Sequence, residues 1–186
     1  MRILYGVTGG VAAVLTMKII EALQKAGHEV QVVTTERSSH FLTSSSLEMA
    51  ELGVKVWTDA DEWPHAHYEK GARVLHIDLR EWADVMLIAP LTANTLAKIA
   101  NGMADNLLTS IMRAWHLDRP VVIAPAMNTL MWTHPVTEAH LLTLELWYDD
   151  LYVVEPVVKK LACGDTGIGA LADISQIVAA VNCFVK

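Results

Sequence analysis

Cysteine is nearly missing from this chain: its 186 residues include two, Cys163 and Cys183. Two thiols cannot build a disulfide framework, which excludes the small secreted scaffolds held together by bridges. Basic clusters are missing as well. No run of Lys or Arg exceeds a pair and the formal net charge is −7, which excludes a nucleic-acid-binding surface. No uninterrupted apolar stretch is long enough to span a bilayer, and residues 1–4 begin a strand rather than a signal peptide. The expected compartment is cytoplasmic, with no membrane partner. There is no repeat, low-complexity tract or linker, so residues 1–186 are expected to form a single domain with a full hydrophobic core. No metal is expected either. His65 and His67 lie near Asp59, Asp61 and Glu62, at a spacing that fits no strong ligand pattern.

What is abundant is apolar surface: 53% of the residues are hydrophobic and the mean hydropathy is +0.32. That fits a parallel sheet buried on both faces, or a large apolar subunit interface. Along the chain, strands alternate with helices. Residues 3–7 read as a strand, followed by the turn Thr8-Gly9-Gly10, and residues 11–26 have helical periodicity with Gly27 as C-cap. Residues 29–34 alternate and are rich in valine, residues 54–57 form a short third strand, and polar residues 59–71 a long loop. Residues 84–90 are a central strand, apolar throughout after Asp84, with a helix over 95–100 beyond it. A helix over 105–115, a strand over 120–125, a mostly helical stretch over 128–147, a last strand over 152–155 and a helix over 174–181 follow. This order predicts an α/β fold with a doubly wound parallel sheet, a Rossmann or flavodoxin-like three-layer sandwich. Ligands in such folds bind beyond the carboxyl ends of the strands. That nominates the loops over residues 8–11, 34–41, 90–95 and 125–131.

Each loop has a chemical and a plain reading. Thr8-Gly9-Gly10-Val11 leads into a helix start, where unpaired amides and the helix dipole suit a phosphate. It lacks the G-x-G-x-x-G fingerprint of a dinucleotide site, and a tight strand-to-helix turn explains it equally well. Thr34, Thr35, Ser38 and Ser39 offer hydroxyls to a phosphate or ribityl group, with Phe41 for a ring; a helix-capping cluster is the plainer account. Thr92, Ala93, Asn94 and Thr95 leave space and hydrogen bonds for a flat polar ligand, where a cap explains Thr92 or Asn94 but not the set. Asn128 follows a buried strand, where an unpaired amide costs about 1–3 kcal/mol. It is either a ligand contact or an N-cap, and Met131 and Trp132 belong either to a site or to the core. His76 is either a satisfied core histidine or a base. Finally, Cys163 sits among Gly164, Gly167 and Gly169, just after Lys159-Lys160. That is the composition of a flap closing over a small molecule, or of a surface loop with a spectator thiol.

Several segments together closely resemble the flavin-dependent cysteine decarboxylases, in the branch that acts on phosphopantothenoylcysteine. They are Val7-Thr8-Gly9-Gly10-Val11-Ala12-Ala13, Thr58-Asp59-Ala60-Asp61-Glu62-Trp63, Val74-Leu75-His76-Ile77-Asp78-Leu79-Arg80 and Trp82-Ala83-Asp84. Ala89-Pro90-Leu91-Thr92-Ala93-Asn94-Thr95-Leu96, Asp105-Asn106-Leu107-Leu108-Thr109, Ala124-Pro125-Ala126-Met127-Asn128-Thr129-Leu130-Met131-Trp132 and the Cys163 segment continue the match in order. Pro-Ala-Met-Asn and Ala-Cys-Gly-Asp are its specific pieces. Asp61-Glu62-Trp63 and Arg113-Ala114-Trp115 look like the eukaryotic branch, and no synthetase domain follows, as in a stand-alone decarboxylase.

The resemblance implies FMN held by Gly9, Gly10, Val11, Thr35, Phe41, Thr92, Ala93, Asn94, Thr95 and Ala126. It implies conversion of 4′-phosphopantothenoylcysteine to 4′-phosphopantetheine in coenzyme A biosynthesis, without a nicotinamide partner. His76 would be the base, Asn128 would bind the substrate carboxylate, and Cys163 would donate a proton. Met131, Lys160, Leu161 and Ala162 would hold the substrate. The family forms homotrimers whose flavin sites lie between subunits, with the histidine reaching over from a neighbour. Two positions depart from it. Gly10 stands where the family usually has a Ser or Thr touching the flavin phosphate, which leaves the amides of Gly10 and Val11. Glu81 replaces a second arginine after the histidine. Other branches fit less well: phosphatase-inhibiting halotolerance-type subunits usually carry long acidic extensions. The eukaryotic-like Trp segments argue against a peptidyl-cysteine decarboxylase, and flavin prenyltransferases lack the Pro-Ala-Met-Asn and Cys pair.

Overall fold

Ile3, Tyr5 and Val7 face one side of their strand and Leu4 the other, and all four are fully buried. That two-residue alternation with apolar groups on both faces requires cover on both sides of the sheet. The computed structural model describes residues 1–42, 46–63, 67, 70–160, 164 and 166–185. In it, β1 (Arg2–Val7), β2 (Glu29–Thr34), β3 (Lys55–Trp57), β4 (Val85–Leu91), β5 (Val121–Pro125) and β6 (Leu151–Val153) form a six-stranded sheet. Its order is β3-β2-β1-β4-β5-β6, and every pairing is parallel. One apolar cluster, with Ile3, Tyr5, Val32 and Leu87, packs under α1 (Thr16–Lys25) and α9 (Ile174–Asn182). The other, with Leu4, Met86, Ile88 and Ile123, packs under α4 (Leu75–Trp82), α5 (Ala93–Ala100), α6 (Leu107–Ala114) and α8 (Pro135–Trp147). This is the doubly wound sandwich that the strand–helix alternation predicts.

Local boundaries differ from the sequence reading for identifiable reasons. Residues 11–26 are not one helix: Val11–Leu15 is a 3₁₀ turn and α1 starts at Thr16. The Ala13 carbonyl accepts both the Thr16 amide and, at 2.7 Å, the Thr16 hydroxyl, which displaces α-helical bonding at that carbonyl. After β2, a 3₁₀ turn Glu36–His40 and α2 (Ser46–Glu51) lead to β3. The loop expected over 59–71 begins as α3 (Asp59–Glu62), where Asp61 accepts the Thr58 amide and hydroxyl, both at 2.7 Å. His76 lies on α4, whose Leu75 and Leu79, four apart, form its buried stripe. The stretch 128–147 divides into α7 (Thr129–Trp132) and α8, because Pro135 disfavours helix at His134 while suiting the first position of the next helix. The largest departure is β7 (Val157–Lys160) and β8 (Thr166–Ala170), an antiparallel pair where the glycines suggest only a loop.

Candidate functional site

The strand order reverses between β1 and β4, adjacent strands whose connections leave toward opposite faces. A crevice opens at the carboxyl ends of such a pair. Here the loops around it are laced into one rim. The buried Thr8 hydroxyl donates to the Pro90 carbonyl at 2.6 Å and accepts the Thr92 amide at 3.0 Å, joining the ends of β1 and β4. The Thr35 amide donates to the Val7 carbonyl at 3.1 Å, bringing in the end of β2. The Ala126 amide donates to the Leu91 carbonyl at 3.0 Å, and the Met127 amide to the Gly169 carbonyl at 2.9 Å. The rim thus takes in all four nominated loops and the β7–β8 pair.

Two glycines are required by this lacing. A Cβ at Gly9 would stand 2.5 Å from the Arg37 Cβ and 2.8 Å from its carbonyl carbon, so the first two loops touch backbone to backbone. Gly169 holds φ of +137°, and a Cβ there would run into the Met127 carbonyl. In β8, glycine therefore serves close packing on the 125–131 loop, a role that the flap reading overlooks.

At the turn after β1, the Gly10 amide donates to the Thr8 carbonyl at 2.9 Å, so it is spent within the turn and is not a ligand donor. The first helical bond runs from the Ala13 amide to the Gly10 carbonyl at 2.9 Å, which leaves the amides of Val11 and Ala12 without an intrahelical acceptor. Any anion here meets these amides rather than the dipole of a long helix. Gly10 itself is extended, and a Cβ would come within 3.0 Å of the Thr92 Cγ2, so a larger residue would press on the next loop.

The hydroxyls of the second loop face their own backbone: Ser38 to the Thr35 carbonyl at 2.7 Å, Ser39 to Glu36 at 2.6 Å and Thr35 to Val7 at 3.4 Å. Phe41 packs on the first core cluster and meets His40 edge to face at 4.9 Å. Ala93, Asn94 and Thr95 form the first turn of α5 instead of a loop before it. Asn94 is exposed, and the buried Thr95 hydroxyl accepts from Thr92 at 3.3 Å. Asn128 caps α7 through its Oδ1, which accepts the Leu130 amide at 2.9 Å, so any donor role belongs to Nδ2. Val11 and Met131, exposed by 52% and 48%, leave apolar surface on the rim. A rim with unpaired amides on one side and bare apolar side chains on another suits a flat ligand carrying an anionic group.

His76 is anchored by Glu62, not by a hydrogen bond to a rim loop. Its Nδ1 lies 2.5 Å from Glu62 Oε1, and its amide donates to Glu62 Oε2 at 3.0 Å. The Glu62 side chain is only 7% exposed. Sequence reasoning missed this partner, although both residues stand in the motifs quoted above. Leu161, Ala162 and Cys163 lie outside the described residues, and Lys160 ends β7 opposite Thr166. His65 lies outside the described residues, and the three acids near it in sequence each have a partner. Asp59 accepts the Leu107 amide at 2.8 Å, Asp61 binds Thr58, and Glu62 binds His76. Glu81, where the resemblance implies an arginine, joins a surface network, accepting from Arg80 at 2.5 Å and from His116 at 3.2 Å. Those bonds, His116's first, hold its carboxyl below the usual range.

The chain matches the family model described as Flavoprotein over residues 1–186. It is 49% identical over 183 residues to phosphopantothenoylcysteine decarboxylase of Mus musculus, a match covering 97% of this chain and 85% of that relative. Among solved structures, a Cys-to-Ser mutant of PPC decarboxylase complexed with pantothenoylaminoethenethiol superposes with a TM-score of 0.90 at 46% identity, covering 98% of this chain and 97% of that one. The FMN binding protein AtHal3 superposes with a TM-score of 0.86 at 46% identity, covering 98% and 95%.

Proposed function

Since the chain belongs to the flavoprotein family, we propose that it is an FMN-dependent carboxy-lyase that decarboxylates 4′-phosphopantothenoylcysteine to 4′-phosphopantetheine, a step toward coenzyme A. The observation that carries this is near-half identity to named decarboxylases along almost the whole chain, the rim loops included. The rim fits FMN: the Val11 and Ala12 amides suit its phosphate, the Thr35 and Thr92 hydroxyl oxygens, whose protons are spent on the chain, are left as acceptors for its polar parts, and Val11, Phe41 and Ala126 suit its apolar faces. Gly9, Gly10, Ala93, Asn94 and Thr95 complete the contact set. Bound FMN supplies hydride uptake and return, so no outside reductant is consumed.

The substrate's carboxylate leaves poorly because nothing nearby accepts its electrons. Oxidising the thiol-bearing carbon to a thioaldehyde places an electron sink beta to the carboxylate. His76 takes the thiol proton in that step. Asn128 Nδ2 holds the carboxylate in place, and loss of carbon dioxide moves the bonding electrons onto sulfur as an enethiolate. Cys163 then protonates the carbon that lost carbon dioxide. Met131, Lys160, Leu161 and Ala162 keep the phosphopantothenoyl arm in place and water out. Purified protein is expected to be yellow, with about one FMN per chain, the saturation expected of a single site, and to release carbon dioxide from phosphopantothenoylcysteine without NAD. A colourless protein that takes up no FMN from solution would sink the assignment.

The assembly proposed is a cytoplasmic homotrimer with each flavin between two chains. Leu142 and Leu146 on α8, whose apolar side chains are exposed, support a subunit interface. Light scattering is expected to give three times the 20.5 kDa chain mass; a monomer retaining flavin and turnover would refute the shared site.

A further inference from the structure

We propose that Glu62 is a positioning residue for His76: it fixes the ring tautomer that leaves Nε2 as the proton acceptor. The proposal rests on the reading of His76 as the base. The two Glu62 oxygens accept separately, Oε2 from the His76 amide at 3.0 Å and Oε1 from the ring at 2.5 Å. A carboxylate only accepts hydrogen bonds, so the ring nitrogen facing it carries the proton. Nδ1 is therefore N–H, and the lone pair lies on Nε2, at the far side of the ring. His76 is partly exposed, with 26% of its side chain accessible, while Glu62 is nearly enclosed, so the acceptor nitrogen belongs to the more open partner.

The origin of Glu62 is itself held firmly. It ends α3, whose first turn is closed by Asp61 on Thr58 and whose Asp59 accepts the first amide of α6 at 2.8 Å. Because α4 packs on α6, the base and its partner are referred to one rigid support. An ion pair placed for stability alone would not need both carboxylate oxygens on one residue's backbone and ring.

Glu62→Gln is isosteric but has one acceptor and one donor where two acceptors are required. Its oxygen can still accept the His76 amide, but its NH₂ then faces Nδ1 as a donor, which favours the tautomer with the proton on Nε2 and removes the acceptor there. Expected for Glu62→Gln is a fall in kcat on the order of 10²-fold, the scale on which general bases and their orienting groups act. KM, FMN content and Tm should stay near wild type. Nitrogen NMR of histidine-labelled protein at alkaline pH should show Nδ1–H at His76 in the wild type and Nε2–H in the variant. Glu62→Asp, which keeps two acceptors, should recover part of kcat. Wild-type turnover in Glu62→Gln, a loss that merely follows the folded or FMN-loaded fraction, or an unchanged tautomer would each overturn the proposal. So would Nε2–H in the wild type, a test that needs no variant to fold. The NMR measurement uses no substrate, so it fails or succeeds independently of the decarboxylase assignment.

Discussion

Replacing His76 by asparagine is expected to lower turnover by about 10² to 10⁴, the usual contribution of a general base, while leaving FMN bound. The side chain was chosen for what it preserves. Asparagine's Nδ2 donates as the ring Nδ1–H does, so Glu62 keeps a partner and α3 stays tied to α4. What disappears is the second nitrogen, which no asparagine atom replaces. The rim that would hold the cofactor is built from the ends of β1, β2, β4 and β5, and its hydrogen bonds do not pass through His76. Absorbance of bound flavin and steady-state kinetics on the same preparation separate the two effects. Turnover at the wild-type rate would mean that His76 is a packing residue with a buried carboxylate neighbour.

Cys163→Ser is expected to divide the reaction at its midpoint. Oxidation and loss of carbon dioxide precede the protonation assigned to this thiol, so they proceed. A hydroxyl is a far weaker acid than a thiol, whose ordinary pKa is near 8.5, so the enethiolate then waits for a proton. The variant should bleach its flavin once and accumulate a product lighter than phosphopantetheine by two hydrogens, on the order of one per site, as for a trapped single turnover. A PPC decarboxylase relative carrying a Cys-to-Ser change has been solved with pantothenoylaminoethenethiol, a compound of this enethiol class. Mass spectrometry of the quenched reaction makes the measurement. Continued turnover to phosphopantetheine would assign the proton to another donor. Cys183 is the remaining thiol, exposed near the end of α9 with its Sγ on the Ala179 carbonyl at 3.3 Å.

Three features escaped a linear reading, each for a physical reason. The β7–β8 pair is invisible in propensity because Gly167 and Gly169 are poor strand residues, yet a Cβ at either would collide with Thr129 or Met127. The helix that carries His76 is only Leu75–Trp82, too short for its period to stand out beside the apolar strand that follows. Glu62 lies 14 residues before His76, and no local pattern relates the tail of one helix to the head of another.

By itself the sequence determined the architecture and the neighbourhood of the site. Strictly apolar runs such as Val85–Leu91 can only be central strands covered on both faces. Alternation with helices makes them parallel, and parallel winding puts the working loops after the strand ends. The resemblance carried by the Pro-Ala-Met-Asn and Cys-loop motifs supplied the chemistry. Only the tertiary structure decided which groups remain available for it. Thr8 joins Pro90 and Thr92 across more than 80 positions, the Gly10 amide is consumed within its own turn, and the second-loop hydroxyls turn inward. Hydrogen-bond valence is finite, and whether a donor is spent on the chain or left for a ligand depends on partners that proximity supplies and sequence order does not.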